Sequence, residues 1–124
     1  MADITFNQRS AGDVAVIDFN GKLVLTDETE GHRRELTALI DSAPKVLLNL
    51  GGITYIDSMG IGLLVGAKTS AINRRVALRM CSPAPLVAKL LAMLHLTRVL
   101  DVYPDEPSAL ASLEQPQDLP TPAN

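Results

Sequence analysis

The chain has 124 residues, 47% of them hydrophobic, a formal net charge of −3, no Trp and a single cysteine, Cys81. A domain of this size can bury a core of its own, so it needs neither disulfides nor a structural metal, and a lone cysteine excludes an intrachain disulfide. The eleven Lys and Arg residues are dispersed apart from the pairs Arg33–Arg34 and Arg74–Arg75, which leaves no basic stripe for a nucleic-acid backbone. No apolar run reaches the roughly 18 residues that span a bilayer. The start, MADITFNQ, has neither the basic region nor the apolar run of a signal peptide. The cytoplasm is the expected compartment, with no direct nucleic-acid or membrane partner.

Ile4 to Gln8 and Val14 to Phe19 read as two strands of a hairpin joined at Gly12-Asp13, since turn residues separate runs rich in β-branched side chains. After Asn20-Gly21 and a short apolar run, Leu23 to Leu25, a helix is expected from a cap at Thr26 or Asp27 to about Ser42, with Leu36, Leu39 and Ile40 as its buried stripe. Lys45 opens Val46-Leu47-Leu48-Asn49-Leu50, too short for a helix and without alternation, as in a central strand covered on both faces. Gly51 to Ile56 reads as a loop, and Ser58 to Asn73 as a helix with Ile61, Leu64, Val65 and Ile72 at helical spacing. Val76 to Cys81 is a further strand. Ser82-Pro83 supplies cap and first-turn proline for a helix with the stripe Val87, Leu90, Leu91 and Leu94. Val99 to Val102 forms a last strand, and Asp105-Glu106-Pro107 starts a helix carrying Leu110 and Leu113. Strands alternating with helices predict an α/β layer with a largely parallel sheet, made mixed by the first hairpin. Residues 1–114 form one domain in this reading, and 115–124, QPQDLPTPAN, a disordered Pro-rich tail.

The informative segment is Ile56-Asp57-Ser58-Met59-Gly60-Ile61-Gly62, between a buried strand and an amphipathic helix. Such junctions are where parallel sheets put functional groups, and unpaired amides at a helix start favour an added anion such as a phosphate on Ser58. Taken alone, Ser58 could be a helix cap, and Gly60 and Gly62 could serve only close packing. Yet two glycines in a first turn lower helix propensity by about 1 kcal/mol each relative to Ala, which fits a site that another backbone or a partner must approach. Met59, Ile61 and Leu63 are further candidates for that contact surface.

Enzymatic readings fail on pattern. A hydrolase elbow needs a glycine two before the serine, where Ile56 stands, and His32 and His95 have no triad spacing. Neither glycine pair continues into the Lys and Ser or Thr of a phosphate-binding loop. Two separated histidines and one cysteine make no zinc site, so no cofactor or metal is expected. His95 reads as a helix C-terminal residue and Cys81 as an inert buried side chain.

The order of elements, with VLLNLGGITYIDSMGIGLLVGA, resembles the STAS domain family, and within it the bacterial anti-sigma factor antagonists, over about residues 4 to 113. The specific element is an apolar strand followed by D-S-x-G-[LI]-G. The resemblance implies a mixed sheet of four to five strands with about four helices mainly on one side. It also implies phosphorylation of Ser58 by an anti-sigma factor with a serine kinase fold. A metal-dependent serine phosphatase would reverse the modification and restore binding, freeing a sigma factor. Two positions differ from the family's usual pattern. Val24 stands where G-x-[IL]-D has an acid, for which Asp27 or Glu28 would compensate if the loop returned them toward Ser58. Met59 stands where a second serine is frequent.

The expected function is a partner switch, not an enzyme, in which Asp57, Ser58, Met59, Gly60, Ile61 and Gly62 form the docking surface and phosphorylation of Ser58 blocks it. The alternative is an unmodified STAS scaffold that holds a nucleotide, a lipid or another STAS copy. A monomer or weak homodimer is expected, since a small sheet has an exposed edge.

Overall fold

The computed structural model describes residues 4–114, so the Pro-rich segment 115–124 lies outside the described residues. Strands β1 (Thr5–Ala11) and β2 (Val14–Leu23) form the expected antiparallel hairpin, turning at Gly12, whose φ of +63° suits glycine. Strands β3 (Lys45–Ile56), β4 (Ala77–Cys81) and β5 (Val102–Tyr103) add in parallel, giving one mixed sheet in the order β1-β2-β3-β4-β5. Helices α1 (Thr29–Ile40), α2 (Ser58–Asn73), α3 (Pro85–Met93) and α4 (Glu106–Ser112) complete the domain.

Alternation along the strands divides the core in two. Ile17, Phe19, Val46, Leu48, Leu78 and Met80 face α1, α2 and α3, meeting Leu36 and Ile40, Leu64 and Ala71, and Val87 and Leu91. Each large aliphatic side chain fully buried there contributes roughly 1.5–3 kcal/mol. Val14, Val16, Leu47, Ala77 and Cys81 face the other way, where Ala109 and Leu113 at α4 cover them. Because β3 is covered on both faces, its apolar run shows no alternation.

The α4 side is tied down by charge. Arg9 on β1 makes paired hydrogen bonds to Asp18 and to Glu106 at the start of α4. Hydrogen bonds from Glu106 and then Asp18 raise the Arg9 pKa further above its ordinary value. Those from Arg9 hold Asp18 below the usual carboxylate range.

Several expected boundaries are corrected. Gly51 to Ile56 is the second half of β3, paired with Asn20 to Leu23 across two register shifts. A Cβ on Gly52 would lie 2.2 Å from the Phe19 carbonyl oxygen, so the glycine that reads as a loop signal is what lets the strands close. Helix α1 starts at Thr29 because Thr26 and Thr29 hydrogen-bond each other in a preceding turn. Helix α3 starts at Pro85 behind Ala84, with Ser82 in the left-handed region at φ +57° and so not its cap. Val99 is exposed in a helical turn closed by the Leu100 amide on the Leu96 carbonyl, so β5 begins only at Val102. Ile72 is 54% exposed and Leu94 53%, so neither belongs to the buried stripe of its helix. No helix among the described residues is long and apolar enough to cross a membrane.

Candidate functional site

At the end of β3 the chain enters α2 through Asp57, which is extended and caps the helix. Asp57 Oδ1 accepts the Gly60 amide at 3.0 Å, as N-cap side chains do. Its Oδ2 accepts the Leu25 amide, also at 3.0 Å, and its own amide donates to the Leu23 carbonyl at 3.3 Å. Asp57 therefore fastens the β2–α1 loop to the start of α2. Desolvation pushes its carboxyl pKa up, but the amides of Leu25, Gly60 and Met59 together outweigh that and hold it below the usual range.

With the cap position filled by Asp57, Ser58 is the first helical residue and is exposed. Its hydroxyl takes part in none of the side-chain hydrogen bonds among the described residues. Met59 is 44% exposed, Ile61 is half-buried, and Leu63 turns into the core. The two glycines separate. Gly62 is exposed with open space where a Cβ would stand, whereas Gly60 is buried and a Cβ there would lie 2.1 Å from the Leu23 carbonyl oxygen. The expectation that Gly60 lies on the partner surface gives way to an internal role, the close approach of α2 to the end of β2.

Beside Ser58 and Asp57 a groove of about 410 Å³ runs between α2 and α3, lined by Tyr55, Ile61, Leu86, Leu90 and Leu94 and by no Lys or Arg. Tyr55 and Leu86 are 52% and 48% exposed, and Leu25, held by Asp57, is 61% exposed. Ser58 thus stands in an apolar surround. Val24 lines a small cavity with His32, Met59 and Gly60 on a different side of the α2 start. The Glu28 carboxylate does not take the place of the missing acid beside Ser58 but lies 3.8 Å from His32 Nε2. Tyr55, Leu86 and Leu94 do not stand out in the sequence as site residues. The legible signal was in α3, where Leu86, Leu90 and Leu94 repeat every four residues beside Val87 and Leu91.

This fold, with an Asp-capped serine where β3 meets α2, is that of a STAS domain. The sequence pattern of that domain matches residues 6–109, and the chain belongs to the STAS domain family. Among curated proteins it is 29% identical over 69 residues to an anti-sigma F factor antagonist of Paenibacillus polymyxa. That match covers 56% of this chain and 59% of the relative's length. Among solved structures it resembles a proposed anti-sigma factor antagonist of Thermotoga maritima, with a TM-score of 0.79 and 20% identity over 89% of this chain and 95% of the other. It also resembles the Bacillus cell fate determinant SpoIIAA. In its unphosphorylated form that protein gives a TM-score of 0.69 at 19% identity, over 89% of this chain and 96% of the other. In its phosphorylated form the TM-score is 0.64 at 18% identity, over 88% and 99%.

Proposed function

We propose that the chain is an anti-sigma factor antagonist acting as a partner switch. Unmodified, it docks on an anti-sigma factor with a serine kinase fold through Asp57, Ser58, Met59, Ile61 and Gly62 and so frees a sigma factor. Phosphorylated on Ser58, it cannot dock until a metal-dependent serine phosphatase removes the group. It acts by binding, as a cytoplasmic monomer or weak homodimer, and not by catalysis.

The observation that carries this reading is the exposed, unengaged hydroxyl of Ser58 in an apolar surround without a lining cation. A phosphate there adds about −1.5 to −2 charges and three acceptor oxygens. Burying it against an apolar partner surface would cost several kcal/mol unless the partner supplied a cation. A loss of about 4 kcal/mol is about a thousandfold in affinity, enough for on and off states. The family and the name of the Paenibacillus relative support the same assignment.

The test is incubation with ATP and each kinase-fold anti-sigma factor of the same organism, followed by intact-mass measurement and titration. Wild type is expected to gain a single phosphate and lose about a thousandfold in affinity, and Ser58→Ala to gain none and bind like unmodified protein. Equal affinity of phosphorylated and unmodified chain would overturn the reading. A chain that binds no anti-sigma factor but retains a nucleotide or lipid would favour the scaffold alternative.

A further inference from the structure

Helix α3 is apolar on two adjacent stripes. Val87 and Leu91 are each 1% exposed and serve the core, whereas Leu86, Leu90 and Leu94 follow one position away with their outer surfaces open. A helix that is apolar beyond the stripe it buries is a helix made to be covered on a second side. The three leucines span roughly 12 Å, a little over two helical turns. They wall the groove whose other side carries Tyr55, Ser58 and Ile61.

The geometry points to an amphipathic helix of the anti-sigma factor as the occupant of this groove, its apolar side chains seated between Leu90 and Ile61 and its flank against Ser58. This inference rests on the partner-switch reading and adds the kind of element the partner inserts. Between their first and last turns, α2 and α3 keep their backbone groups paired internally. An extended segment would therefore find few main-chain partners here, while side chains at i and i+4 of a helix match leucines of the same spacing. Among the described residues the only charge lining the groove is that of Asp57, whose two oxygens are already occupied by the amides of Gly60 and Leu25. An inserted apolar side chain seated between Leu90 and Ile61 leaves no charge unpaired, and an inserted charged one finds no partner. The groove is continuous with Ser58, so a phosphate there obstructs the same helix without any refolding.

The experiment titrates the full-length wild type, Leu86→Glu and Leu94→Glu against the anti-sigma factor of the same organism that binds the unmodified chain most tightly. Ile72→Glu is the control, an identical change at a residue 54% exposed at the far end of α2. Circular dichroism checks folding, with Leu94→Ser as substitute if a Glu variant loses helix, and light scattering gives the oligomeric state. Leu86→Glu and Leu94→Glu are expected to weaken binding roughly tenfold to a hundredfold each, with Ile72→Glu like wild type. Wild-type affinity in both groove variants, with phosphorylation still abolishing binding, would overturn the groove and leave the switch standing. If wild type binds none of the anti-sigma factors, both fall. A wild-type dimer that Leu94→Glu dissociates would make a second copy the occupant and overturn the proposal.

Discussion

Helices α2 and α4 both begin after an extended aspartate whose Oδ1 accepts the amide three residues on, Asp57 from Gly60 at 3.0 Å and Asp105 from Ser108 at 2.8 Å. They part at the next residue. In α4 it is Glu106, an acid at the positive end of the helix dipole, met by the Arg9 guanidinium that also holds Asp18. In α2 it is Ser58, uncharged, without an acid in the first turn, beside a groove that no Lys or Arg lines. The caps are alike, so what differs is whether a charge at the first helical residue has a cation to face. At α4 the charge closes a joint between the hairpin and the last helix. In the proposed switch its absence at α2 keeps a surface open, and adding it closes that surface to an apolar partner.

Five substitutions break or sharpen this contrast, in decreasing order of effect. Gly60→Ala forces a Cβ to 2.1 Å from the Leu23 carbonyl oxygen, and is expected to destabilise the fold by about 3 kcal/mol in urea denaturation. Asp57→Ala removes both the cap and the tether to Leu25 and should cost about 2 kcal/mol. Asp105→Ala, which loses a cap bond to Ser108 and no loop tether, should cost less in the same assay. Arg9→Ala should cost at most about 1 kcal/mol, and less at high salt, because the ion pairs are partly exposed. Gly62→Ala, with open space around it, should gain up to about 1 kcal/mol from helix propensity alone.

Asp57 also contributes a pH dependence to stability. Its folded pKa lies below the ordinary carboxylate value, so its contribution is fully present above that ordinary value and is lost as pH falls through the lowered one. Acid titration of the unfolding free energy should therefore show a smaller loss in Asp57→Asn than in wild type over that range.

The α2 junction was legible because its signals are local: an apolar strand, an Asp, and glycines before an amphipathic run. The largely parallel sheet with its antiparallel first hairpin followed from strands alternating with helices. The far half of β3 was not legible, since Gly51 and Gly52 read as loop residues while their reason, the approach of Phe19 and Asn20 across a bulge, lies on another strand. Nor was the role of Gly60, decided by Leu23 more than thirty positions away along the chain. In α3 the period shows that leucines recur, but two neighbouring stripes share that period. Only packing assigns Val87 and Leu91 to the core and leaves Leu86 and Leu94 outside.

Ser58→Glu tests the central contrast most directly, because it gives α2 the first-turn acid that α4 already has but supplies no Arg9. An acid at a helix start is favourable or neutral, so the unfolding free energy is predicted to stay within about 1 kcal/mol of wild type, while affinity for the anti-sigma factor falls at least about tenfold. A Ser58→Glu protein that is stable and binds the anti-sigma factor as tightly as wild type would contradict the account.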